Sequence, residues 1–100
     1  MSDPPAWEVP RIYGAPAALR ERVELWLASV SEKAAAARCA AAGRAALAHS
    51  LAGSSDRSSA GDVLAADALV TLALLAVADR EPTRLAEFAR ELRQGLPRGI

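Results

Sequence analysis

The stretch GDVLAADALVTLALLAVADR, residues 61–80, sets the terms for the rest of the chain. Between Leu69 and Ala78 its only polar side chain is Thr71. A helix that turns one face to a core shows polar residues every third or fourth position. This one shows almost none, which predicts a helix covered on nearly every side. The run is too long and too rich in alanine and leucine for a strand. Its apolar part, residues 63–78, falls short of the roughly 20 residues a bilayer core requires and contains Asp67, so no membrane span is expected.

What could cover such a helix depends on the rest of the composition. Hydrophobic residues make up 52% of the 100, but alanine alone supplies 25 and Leu, Ile, Val and Phe together 22. Alanine favours helix at no side-chain entropy cost and buries little surface. Each large aliphatic side chain contributes roughly 1.5–3 kcal/mol when fully buried, against an ordering cost on the order of 1.5 kcal/mol per residue. A lone chain of this kind is marginal, and self-association or a protein partner is the expected remedy.

Residues 1–15 read as an extended arm, because Pro4, Pro5 and Pro10 forbid a helix there. The arm carries Trp7, Val9, Ile12 and Tyr13; the readings are that it lies along its own bundle, that it clasps a second subunit or partner, or that it is disordered. Pro16 suits a first helical position. From there Leu19, Val23, Trp26, Val30, Ala34, Ala37, Ala41, Ala45 and Ala48 recur at steps of four and three. This seam predicts one helix over 16–52, roughly 55 Å long, with Ser29–Ser31 and Gly43 as the places where it would break. Its alanine half, residues 34–46, should pack closely against another helix of this chain or of a neighbour, since small side chains let axes approach.

Gly53 to Gly61 reads as a polar connection. Asp62 is placed as the cap of a helix over 62–80, which Pro82 ends. A third helix over 83–94 presents Leu85, Phe88, Ala89 and Leu92 on one face, and residues 95–100 form a tail. The helical domain thus spans 16–94. The expected fold is all-α: a long helix and a buried helix in a hairpin, with a short amphipathic third helix, completing an intermolecular bundle. A twofold dimer is its simplest form. The residues expected at the interface are Trp7, Tyr13, Trp26, Ala37, Ala41, Leu69, Leu72 and Leu75.

Chemistry is sparse. The 12 basic and 12 acidic residues balance to a net charge of zero, so no global attraction to nucleic acid or to an anionic membrane arises. The single cysteine, Cys39, excludes an intramolecular disulfide, has no second thiol for a zinc site, permits a reducing compartment, and reads as a small buried hydrophobe. No basic segment followed by an apolar run stands near Met1, and the expected location is the cytoplasm. A di-iron site needs E-x-x-H; Ala46 stands three residues before His49. No metal or cofactor is expected. Asp67 and Thr71, four apart, read either as dipole-stabilised or as a polar contact across the bundle to Arg38 or Arg44.

His49, the only histidine, follows Arg44 in RAALAH. This R-x4-H spacing resembles the motif of HEPN-type helical ribonucleases. Over those six residues the resemblance implies Arg44 and His49 acting together on a phosphodiester. LAEFARELR is similar to the first helix of some helix-turn-helix domains, but Gly95 and Pro97 interrupt the place where a recognition helix would stand. The sequence therefore points first to a small non-enzymatic interaction or accessory protein, acting on itself or on another helical protein. The alternative is a HEPN-like nuclease or toxin component using Arg44 and His49.

Overall fold

The computed structural model describes residues 15–53 and 57–96. Four α-helices account for most of them: α1 (Ala17–Ala28), α2 (Ala35–Ala52), α3 (Arg57–Arg80) and α4 (Leu85–Gly95), with a 3-10 turn at Pro82–Arg84 before α4. The fold is all-α, as the periodicity predicts, and no strand occurs among the described residues.

The long first helix divides. At Ser29 both the backbone N–H and the side-chain hydroxyl turn back to the carbonyl of Trp26, at 3.1 and 2.7 Å, and close α1. Hydroxyls so placed compete with the helical ladder. The helix restarts at Ala35, and Arg38 Nε donates to the Leu27 carbonyl at 3.1 Å, satisfying one of the orphan acceptors at the end of α1. A continuous helix of about 55 Å would outrun the 38 Å longest dimension of the molecule. Breaking it folds Val23 and Leu27 of α1 back onto the core.

α2 and α3 form the most extensive contact, an antiparallel hairpin. The alanine-rich half of the first seam therefore meets a helix of its own chain. The face it uses is Cys39, Ala40, Ala42, Gly43, Ala46 and Ser50, all buried, whereas Ala37 is exposed and Ala41 half-buried. A phase counted from α1 does not carry across the break at residues 29–34. Within α2 alanine occurs on every side, so the apolar pattern alone leaves the face open. The closest approach is at Gly43, where a Cβ would stand 3.2 Å from Val70 Cγ2 and 3.4 Å from Leu69 Cβ.

α3 begins five residues before the expected cap. Asp62 consequently lies in its second turn, and its side chain is directed inward instead of capping the helix. At the other end Glu81 N–H still reaches the Val77 carbonyl at 2.7 Å, after which Pro82 forces the 3-10 turn. α4 is amphipathic as expected, but its buried stripe is narrow: Leu92 is buried, Leu85 and Phe88 half-buried, and Ala89 exposed. The core joins Val23 and Leu27 of α1, Cys39, Ala40 and Ala42 of α2, Ala65, Leu69, Leu72 and Ala73 of α3, and Leu92 of α4.

The close contact at Gly43 and the exposure of Ala37 make opposite predictions for one substitution. Gly43→Leu should lower unfolding stability by about 1–3 kcal/mol through overpacking, while Ala37→Leu should stay within about 0.5 kcal/mol of the parent. Urea unfolding followed by circular dichroism measures both. Equal losses would place the packed face of α2 elsewhere.

Candidate functional site

Asp62 is 1% exposed, the only acidic side chain among the buried residues described. A carboxylate removed from water costs several kcal/mol unless its oxygens are satisfied. Two neighbouring helices supply the donors. Arg22 Nη1 of α1 donates to Oδ1 at 3.0 Å, Trp26 Nε1 of α1 donates to the same oxygen at 3.2 Å, and His49 Nδ1 of α2 lies 2.8 Å from Oδ2. Arg22 and Trp26 are four residues apart and so share one face of α1. The His49 ring meets the Trp26 ring edge-on, with centroids 5.5 Å apart.

Burial pushes the Asp62 carboxyl up, but the hydrogen bonds from His49 and Trp26 and the charge of Arg22 outweigh it, leaving the group below its ordinary value of 3.8. It is therefore a carboxylate at neutral pH and can only accept hydrogen bonds. His49 must then carry a hydrogen on Nδ1. In the neutral ring this leaves Nε2 as a lone pair, on a side chain 65% exposed to solvent. Chemically the cluster is a structural tie that also presents one histidine in a fixed tautomer.

Arg44 does not join it. Its side chain runs along α4, where a Cβ on Gly95 would meet Arg44 Cδ at 3.1 Å, and it lines a shallow groove with Phe88, Glu91 and Leu92. Five residues along one helix separate two side chains by about 140° of rotation, and the structure uses that angle to send Arg44 and His49 to different neighbours. Arg22, which the sequence does not single out, is the arginine that shares Asp62 with His49. The i, i+4 spacing of Arg22 and Trp26 was the available signal, but nothing local connects it to Asp62, forty residues away.

The second feature is a face of α3 that the other described residues leave partly uncovered. Leu64 is 60% exposed and Val63 47%; Ala60, Asp67 and Thr71 are exposed beside them, and Leu74 and Leu75 are half-buried. Thr71 Oγ1 donates to the Asp67 carbonyl at 2.9 Å. Neither Arg38 nor Arg44, the partners considered for that pair, is directed to it: Arg38 bonds the Leu27 carbonyl and Arg44 lies along α4. Asp67 and Thr71 instead line a groove with Leu19, Arg20 and Val23 of α1.

Of the expected interface residues, Trp7 and Tyr13 lie outside the described residues. Leu69 and Leu72 are buried in the chain's own core, Trp26 is half-buried in the Asp62 cluster, and Leu75 borders the open face of α3. Cys39 is fully buried. Among the described residues no group of three or more His, Cys, Asp or Glu is placed to hold a metal ion. With its earlier start, the segment Ser59–Arg80 is long and apolar enough by length and composition to cross a membrane; 44% of its apolar window is buried in the structure, where it contributes Ala65, Leu69, Leu72 and Ala73 to the core. Comparison with protein-family models, with curated proteins and with solved structures finds no match.

The Asp62 cluster has a pH signature. Because the folded-state carboxyl lies below its unfolded value, its contribution to stability is present above pH 3.8 and is lost as pH falls through the depressed folded value. Asp62→Asn keeps the size of the side chain but removes the charge that binds Arg22 and His49. It should lower stability at neutral pH by about 1–3 kcal/mol and flatten the acid limb of a melting-temperature series. An unchanged acid limb would show that other carboxylates carry the acid dependence.

Proposed function

We propose that the protein is a small non-enzymatic interaction or accessory protein of the cytoplasm that acts through self-association. One observation carries this reading: the most apolar helix of the chain, having supplied the core, still exposes Val63 and Leu64 on its remaining face. An aliphatic side chain is worth roughly 1.5–3 kcal/mol when fully buried, so a partner that covers this face recovers energy the single chain leaves unused. Contiguous exposed apolar surface on a small domain marks such contacts. The zero net charge adds no opposing long-range repulsion between copies.

The nuclease reading is supported less well. His49 offers an outward Nε2, but Arg44 is turned towards α4 and the pair does not converge on one phosphodiester. A His49→Ala variant that abolished an RNase activity of the purified protein would restore that reading.

Light scattering coupled to size exclusion, over a dilution series, tests self-association. The expected mass is a multiple of the 10.4 kDa chain. Leu64→Glu should shift it to a single chain with the helical signal intact, because the replaced side chain is largely outside the core. A parent protein that stays monomeric and folded at the highest soluble concentration would sink the reading.

A further inference from the structure

A stripe of α3, exposed at Ala60, Val63, Leu64, Asp67 and Thr71 and half-buried at Leu74, Leu75 and Ala78, reads alike in both directions about Leu69. Asp67 and Thr71 stand two residues before and after it, Leu64 and Leu74 five, Val63 and Leu75 six, and Ala60 and Ala78 nine. At about 100° per residue these eight positions fall within one face roughly 120° wide. Leu69 itself is buried on the opposite side of the helix. Three of the four pairs match, alanine with alanine and aliphatic with aliphatic; the fourth sets the Asp67 carboxylate beside Thr71, an uncharged side chain whose hydroxyl donates within its own helix.

A twofold contact brings residue i of one copy against residue j of the other and, by symmetry, j against i. For two helices meeting antiparallel, a stripe satisfies this when it carries equivalent side chains at equal distances from its centre. The stripe of α3 does so at three of its four pairs. We infer that α3 packs against α3 of a second copy, antiparallel, about a twofold axis at the level of Leu69. This rests on the self-association proposed above and specifies its register.

The alternative pairings are worse on the same residues. A parallel pair would set Asp67 opposite Asp67 of the second copy, two like charges in an apolar seam. In the antiparallel register each Asp67 is kept away from its counterpart and stands beside the uncharged Thr71, and Leu64 is level with Leu74. Opposed helix dipoles add a smaller preference in the same sense. The stripe is about 27 Å long and offers roughly 300 Å² per copy at helix width, against about 800 Å² per partner in a standard stable complex. The adjoining groove wall of α1, with Leu19 and Arg20, supplies further surface beside Asp67 and Thr71. The association is accordingly expected to be weak and dependent on concentration.

Oxidative cross-linking resolves the register. The parent chain serves as control, since its one cysteine is fully buried. Variants Asp67→Cys and Thr71→Cys, and separately Leu64→Cys and Leu74→Cys, are prepared, with one member of each pair carrying a mass tag, and checked for parent-like helicity. On mixing, 67–71 and 64–74 disulfides should form, while Leu64→Cys alone should not cross-link. Its two copies would be displaced about 15 Å along the axis, beyond the ~7 Å Cα separation a disulfide spans. Cross-linking of Leu64→Cys with itself would overturn the antiparallel register. A dimer by light scattering that forms neither mixed disulfide would overturn this face as the interface while leaving self-association standing. A folded monomer at all concentrations would overturn both.

Discussion

The arrangement of three helices turns on a single buried carboxylate. Asp62 accepts from Arg22, Trp26 and His49, and each of its oxygens is engaged. α1 buries only Val23 and Leu27 fully, little apolar surface with which to hold a helix in place. Contacts between alanines are tolerant of rotation and sliding, whereas hydrogen bonds to a carboxylate are directional. The Asp62 cluster thus gives α1 an orientation relative to the hairpin that its apolar residues alone would leave loose. Because donors and acceptor lie on different helices, loss of the charge affects all three contacts together.

The hairpin beneath this tie is built from small residues. Gly43 and the buried alanines of α2 let α3 approach closely, so that packing is tight although the area gained per residue is small. The large side chains are concentrated on α3, and α2 has too little bulk to surround them. α1 and α4 cover two further sides. On the remaining side Ala60, Val63, Leu64, Asp67 and Thr71 are exposed among the described residues while Leu74, Leu75 and Ala78 are half-buried, and this is the side of the proposed contact.

These two features divide the molecule by role. The Asp62 cluster ties the chain to itself and incidentally presents His49 with its Nε2 outward. The face of α3 presents apolar surface with Asp67 and Thr71 at its middle. The groove beside α1, lined by Leu19, Arg20, Asp67 and Thr71, adjoins that face, so the proposed contact extends beyond a single helix.

Periodicity and composition by themselves determined that the chain is helical, that residues 63–78 lie in its most apolar helix, that a break at Ser29–Ser31 was available, and that Pro82 ends that helix. These are local matters of propensity, hydroxyl competition and the missing proline N–H. Tertiary structure decided what local chemistry leaves open. Asp62 reads as a cap in isolation, but its partners are thirteen to forty residues away, and no local rule links them. The packed face of α2 could not be read, because a helix with alanine on every side has no distinctive apolar stripe; the approach of Val70 to Gly43 selects it. Arg44 and His49 match a spacing, yet the helix turns them about 140° apart, and only the placement of α4 and of Asp62 shows where each one goes.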